Sequence, residues 1–331
     1  MKRILVIRID FLGDMVCTTP LLHALKRKWP AAEIHVLANK ANRAVLDANP
    51  DVSAVHTYVY SKHVERNARP GLLNMIIDRL ALIWRLRRLR FDLLIVPNGG
   101  MHKNSIQFAR QLKIRDCRWH DVETEFDDRK PEHRTSRPMQ HEALSGFRLV
   151  PELEPVDVEA LKLYVYPDGG LREKWRAVLG ERTKPRAGLF VSNKAEQRRW
   201  PVDQWLQLSR MLGHRAEVVI FRDPTDHVAS TAWTASAARV VEPPTVADVV
   251  AAMSLLDIVV SADSAPVHLA AALNLRVVAF FEDRPEKYLR WYPLGTRHVL
   301  VRAGARVDAI TAEAAAAAVD QLLEENIPVS Q

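Results

Sequence analysis

The chain has 331 residues, 48% of them hydrophobic and 26% charged; it is too long for one ordinary small core and too apolar for disorder, so two compact domains are expected. Its longest apolar stretches, such as Ile4-Leu5-Val6-Ile7 and Leu93-Leu94-Ile95-Val96, fall far short of the ~20 residues a membrane-spanning helix needs. A net charge of +7 and a pI near 9.5 favour anionic partners, but without an RNP-like aromatic motif, zinc-finger spacing or long Lys/Arg block, nucleic acid is not expected among them.

The opening apolar run breaks at Arg8 and Asp10 before a secretory core can form, which predicts a cytoplasmic chain. Cys17 and Cys117 lie in no CxxC or Cys/His spacing. That fits a reducing compartment, argues against structural zinc or a disulfide framework, and makes both packing residues.

Residues 3–8 read as a strand buried on both faces of a parallel sheet. A short turn with Gly13 and Asp14 follows, and then Leu21, Leu22, Leu25 and Trp29 recur at helical spacing up to Pro30, with Pro20 expected to bend or shorten the first turns. Further strands are predicted over 33–38, 54–58 and 91–96, separated by helices around 41–48 and 75–90. This alternation signals a doubly wound parallel sheet. Residues 119–141, dense in Asp, Glu, Arg, His and Pro, read as an exposed loop.

The second half repeats the pattern, with strands over 187–192, 217–221, 257–261 and 276–281. Helices are predicted over 202–212, 245–256, 265–273 and 311–324. Pro167, Asp168, Gly169 and Gly170 mark a linker within 164–170. Domains are therefore expected over 1–166 and 167–331, with the final helix free to pack back on the first. Such sheets bind ligands at their carboxyl ends, so a cleft between the two is the expected active site.

Three segments carry chemistry. RIDFLGD, 8–14, joins the first strand to the first helix; Asp14 is its candidate general base, with helix capping the plain alternative, and Asp10 reads as local turn chemistry. SADSAPVHLAAAL, 261–273, ends a strand and opens a helix with Pro266 in its first turn. Its backbone N–H groups, with Ser264 and Ala265, make a phosphate cradle. Asp263 orders the turn or meets a sugar hydroxyl, and His268 shares a helix face with Ser264. VSNKAEQRRWP, 191–201, is a polar loop in which Ser192 and Asn193 precede Lys194 and Arg198, cations suited to a pyrophosphate. Arg199 reads as solvated surface charge.

Strand-RIDFLGD-MVCTTPLLHALKRKWP resembles the opening of the heptosyltransferase family, the ADP-heptose:lipopolysaccharide transferases of glycosyltransferase family 9. The strand-loop-RRWP segment and DSAPVHLAAAL resemble that family's donor-site motifs, and PNGG, 97–100, resembles a loop of its acceptor domain. The resemblance implies an α/β GT-B fold, two doubly wound Rossmann-like domains facing each other across a cleft. It also implies an ADP-heptose donor, inversion at the anomeric carbon, a lipopolysaccharide-core or related acceptor, no cofactor and no obligatory metal. By position, the family's base is Asp14, its phosphate-binding Lys is Arg198, and its DTG-type motif falls on Asp263, Ser264, Ala265 and His268. Arg for Lys keeps the charge and changes its shape. Ala265 for Gly adds a methyl where backbone approaches phosphate.

On the acceptor side the candidates are Gly13, Asn98 of PNGG, Lys62 and Arg66 with Arg69 in a basic loop, Lys103 and His141. They suit an anionic glycan or glycolipid, although solvated surface charge explains any single cation as well. The basic amphipathic stretch 75–91 is read as core packing against the sheet. Peripheral contact at the cytoplasmic face of an inner membrane is the alternative that the same pattern allows.

The absence of GxGxxG after the first strand counts against a dinucleotide oxidoreductase. A transferase or epimerase using another nucleotide sugar, and a non-catalytic sugar-nucleotide-binding homologue, stay open as alternatives.

Overall fold

The computed structural model describes residues 2–61, 65, 67–121, 140–226, 228, 230–233 and 236–324. Lys62, Arg66 and most of the polar 119–141 loop lie outside them. Contacts along the chain divide it into two compact units, Met1–Glu159 and Ala160–Gln331.

The first unit runs β1 (Arg3–Arg8), α1 (Leu12–Lys28), β2 (Glu33–Ala38), β3 (Ala54–Thr57), α2 (Leu72–Arg88), β4 (Leu93–Val96), α3 (Lys103–Leu112) and β5 (Cys117–Trp119). Among the described residues its strands pair in parallel in the order β3-β2-β1-β4-β5. The chain thus winds outward from β1 through β2 and β3, then returns to β4 on the other side. That reversal leaves a crevice at the carboxyl ends of β1 and β4, where the turns 8–14 and 97–100 emerge. Leu5, Ile7, Leu94 and Val96 pack against Leu82, Leu86 and Phe108 beneath it.

Pro20 sits inside α1 without ending it. Proline has no N–H for the carbonyl of Val16, four residues back; the Thr19 hydroxyl donates to that oxygen instead, at 2.7 Å. The predicted helix at 41–48 is a single 3-10 turn, Arg43–Leu46. Asn39 Oδ1 accepts the N–H of Ala41 and of Asn42 and fixes a tight turn that an α-helix would not follow. Cys17 is buried in α1, and Cys117 on β5 donates to the carbonyl of Ile114.

The second unit runs α4 (Gly169–Leu179), β6 (Arg186–Phe190), α5 (Val202–Leu212), β7 (Glu217–Phe221), β8 (Arg239–Val241), α6 (Val246–Met253) and β9 (Ile258–Ala262). It continues with α7 (Ala265–Ala272), β10 (Arg276–Phe281), α8 (Pro285–Trp291), β11 (His298–Arg302) and α9 (Ala312–Glu324). The parallel order β11-β10-β9-β6-β7-β8 reverses between β6 and β9, so a second switch point lies where the loops 191–201 and 263–265 leave the sheet.

Two expectations change here. The Gly169-Gly170 pair opens α4 rather than serving as linker, because the Asp168 carboxylate accepts the N–H of Leu171 at 2.8 Å and caps the helix. The final helix belongs to the second unit's own core: Ala312, Ala315, Ala316, Val319 and Leu322 join Trp205 and Leu208 of α5 there. Its run of alanines lets the two helices approach closely.

The segment 160–166 likewise belongs to the second unit. Gly295 has a φ of +78°, and a Cβ there would lie 2.6 Å from the carbonyl oxygen of Leu161. Backbone cannot move aside as a flexible side chain would. Gly295→Ala is therefore expected to destabilise this unit by about 2 kcal/mol, read as a lower urea midpoint followed by tryptophan fluorescence.

Candidate active site

At the carboxyl end of β1, Arg8 is 1% exposed and meets three carboxylates. Its Nε donates to Asp10 at 2.8 Å, and its Nη2 donates to Asp14 and, at 3.0 Å, to Glu142. Asp10 also accepts from the Asn98 amide at 2.6 Å, and Glu142 accepts the N–H of Gly99 at 3.0 Å. The turns after β1 and β4 are thereby tied together. From the other side the Asn39 amide donates to the carbonyls of Ile9 and Asp10, and that of Asn42 to the carbonyl of Arg8.

One guanidinium cannot neutralise three carboxylates, of which Glu142 is buried and Asp10 and Asp14 are partly so. Burial, and next the charge of Asp10, push the Asp14 carboxyl up to about 7 against the pull of Arg8. Asp14 sits in the first turn of α1, where the backbone amides favour a negative charge, but its side-chain partner is Arg8, so it does more than cap a helix. Enough of the carboxylate stays accessible for a proton to reach it. A carboxyl poised near neutrality at a topological switch point is equipped for general-base work.

The other acceptor-side candidates fall in varied places. Gly13 is buried inside α1. Asn98 is buried and braces Asp10. Lys103 begins α3 and is exposed. His141 is 1% exposed, and its Nδ1 accepts the N–H of Ala143, capping the 3-10 turn Glu142–Leu144 that delivers Glu142 to Arg8.

In the second unit, the loop after β6 is held to both neighbouring strands. The Ser192 hydroxyl donates to Asp226 and accepts the N–H of Asp223 at 3.0 Å. The Asn193 amide donates to the Asp263 carbonyl at 3.1 Å. Arg198 Nη1 reaches that same carbonyl and the Asp263 carboxylate, both at 3.0 Å. Burial raises the Asp263 carboxyl, opposed first by Arg198 and then by Lys287.

Lys194 is exposed. Arg199, expected as solvated surface, instead donates to the carbonyls of Asn193 and Lys194 and staples the loop that carries them. Ser264 is the N-cap of α7, yet its hydroxyl donates back to the Ala262 carbonyl and makes no side-chain cap. The N–H groups of the first helical turn therefore keep no side-chain acceptor from the cap, as an anion-binding helix start requires. Ala265 is the first residue of that helix, and His268 is buried, its ring edge-on to Trp291 at 5.8 Å.

The family described as glycosyltransferase family 9 (heptosyltransferase) matches residues 79–316. The chain belongs to this family. Lipopolysaccharide heptosyltransferase 3 of Escherichia coli K12 is 32% identical over 83 residues, a segment that is 25% of this chain and 22% of that relative. The glycosyl transferase family 9 structure from Veillonella parvula DSM 2008 is 16% identical, covers 98% of both chains and superposes with a TM-score of 0.78. The E. coli heptosyltransferase WaaC structure with ADP is 17% identical, covers 98% of this chain and 100% of the other, and gives a TM-score of 0.73. These structures share the GT-B fold expected from the sequence.

Within this family-9 chain, sequence reasoning missed Arg8, Glu142 and Lys287. Arg8 carried a signal, a charge at the end of an otherwise apolar strand that must find buried partners. Glu142 carried none, because 134 residues separate it from Arg8. Lys287 lies on the unpredicted α8, four residues past Asp283, at the carboxyl end of β10. Its charge acts on Asp263 and on the buried Glu282.

Asp14 takes up its proton at about 7 in the folded unit and near 4 when unfolded. Between those values the folded state binds more protons, so this group's contribution to stability falls as pH rises from about 4 to about 7. Asp14→Asn should flatten that slope relative to the parent chain. Urea unfolding free energies across a pH series would check it.

Proposed function

We propose that this chain is an inverting glycosyltransferase that moves a heptose from ADP-heptose to a lipopolysaccharide core or a related glycan, with Asp14 as general base. The observation that carries this reading is the Asp14 carboxyl at the end of β1, held by Arg8 and raised to about 7. Family membership, and the naming of ADP with one solved structure of like fold, support the choice of donor class.

In this reaction an acceptor hydroxyl oxygen forms a bond to the anomeric carbon while its proton passes to the Asp14 carboxylate. The bond from that carbon to the β-phosphate oxygen breaks, and its electron pair leaves with ADP. The first unit supplies the base and binds the acceptor; the second holds the nucleotide.

Arg198, Lys194, Lys287 and the N–H groups at the start of α7 are the groups that take up the charge developing on the diphosphate. With that many positive groups on the chain itself, no metal is required for the step. Asp263 orients Arg198 through their ion pair and lowers the net positive charge, so nucleotide release stays compatible with turnover. Glu142 and Asp10 act on Asp14 by their own charge and through Arg8, and are positioning residues.

Calorimetry with ADP, UDP and GDP should show preference for ADP. Arg198→Ala is expected to weaken ADP binding by about thirtyfold, roughly 2 kcal/mol. Asp14→Asn should lower kcat by about a hundred- to ten-thousandfold with ADP affinity nearly unchanged. In the parent chain kcat/KM should climb with pH through about 7 and then level off, as a base that must first lose its proton requires. An Asn variant with normal turnover would remove Asp14 from the role, and nucleotide-sugar binding without turnover on any acceptor would favour a non-catalytic protein.

A further inference from the structure

Helix α2 carries two apolar faces. Leu82 and Leu86 are packed in the first unit's core with residues of its sheet, as the sequence reading expected, and Met75 is buried as well. On the opposite side, Leu73, Ile77, Leu80 and Trp84 recur at intervals of four, three and four residues and form one line along the helix. Their exposures are 76%, 59%, 61% and 60%, and Leu72 and Ile76 widen the line at its start. Core packing therefore accounts for the smaller part of the large apolar side chains. Scattered exposed leucines need no explanation, but six large apolar side chains on one helix surface do.

Charge indicates what covers this face. The last turn holds Arg85, Arg87 and Arg88, and the Arg88 guanidinium lies over the Trp84 ring at 4.5 Å. The helix has one acid, Asp78, and it is paired with Arg69. Apolar side chains bordered by arginine and by no unpaired acid, on a chain of net charge +7, match an interfacial helix on anionic lipid.

The position fits as well. Since β3 and β4 lie on the same parallel sheet, α2 runs back between them, from the carboxyl edge to the amino edge. Its 17 residues span about 26 Å. The start, with Leu72, Leu73, Ile76 and Ile77, thus lies toward the edge from which Asp14 and Asn98 emerge. No helix among the described residues is long and apolar enough to cross a membrane, so contact along a surface is the mode this helix suits.

We infer that the outer face of α2, Leu73, Ile77, Leu80 and Trp84 with Arg85 and Arg88, docks the first unit on a bilayer surface rich in anionic phospholipid. Lipid binding is measured without donor or acceptor, so its outcome is separable from that of the transfer assays.

The purified full chain would be sedimented with phosphatidylcholine vesicles, with and without about one third phosphatidylglycerol. Binding is expected to the anionic vesicles. The pair Leu80→Ser with Trp84→Ser should weaken it at least about tenfold, and Arg85→Gln with Arg88→Gln by about fivefold per charge. Both pairs lie on the outer surface, so thermal midpoint and ADP binding should be unchanged. Failure of the parent chain to bind, or equal binding by the Leu80/Trp84 variant, would overturn the inference. So would light scattering that finds a dimer dissociated by the same two substitutions, since the face would then belong to a second copy.

Discussion

The first unit is organised around one buried arginine. Arg8 ends the central strand of the sheet, and the cost of burying an unpaired guanidinium is offset by three carboxylates that meet it. Asp10 comes from the turn, Asp14 from the first helix and Glu142 from a 3-10 turn far along the sequence. Three acids around one cation leave an excess of negative charge. Burial, and next that excess, raise the Asp14 carboxyl, which holds its proton up to about 7. The same ion cluster therefore positions the Asp14 carboxyl and, together with burial, sets its affinity for the proton.

The second unit solves a different problem with related means. The loop after β6 carries Lys194, Arg198 and Arg199 close together and has to be kept in shape by its own contacts. Arg199 and Asn193 do so through the backbone, and Ser192 through Asp226 and the Asp223 N–H. Arg198 rests on Asp263, and a buried acid beside a cation keeps the cation pointed without removing its N–H groups from use. Ser264 turns its hydroxyl away from the helix it opens, which leaves that start without a side-chain cap.

The two faces of α2 show how far apolar spacing can be read. Its Leu and Ile residues fit a helix packed on a sheet, but of the eight only Leu82, Leu86 and Ile83 are packed that way. Sequence periodicity cannot say how much of a helix's circumference its neighbours cover. Coverage depends on how the sheet curves and on where α3 lies, and the six outward side chains of α2 are visible as a surface only once the neighbours are in place.

Much of the fold was legible in the chain itself. Buried parallel strands are continuous apolar runs, and the 3–8, 33–38, 217–221 and 276–281 strands were read at their observed bounds; the turns that follow β1, β6 and β9 announced the candidate site through Asp14, Arg198, Asp263 and Ser264. Short edge elements escaped. β5, β8 and β11 have few residues or mixed polarity, and α8 has only seven residues. Local sequence determined which residues stand at the carboxyl ends of the strands, because strand and turn signals act within a few residues. Only the tertiary structure decided that Arg8 is shared by three acids, that Arg198 lies on Asp263 and that His141 is a buried cap. Glu142 and Arg8, and Arg198 and Asp263, stand far apart in the chain, and the burial that strengthens all of these contacts exists only when the sheet and its covering elements have come together.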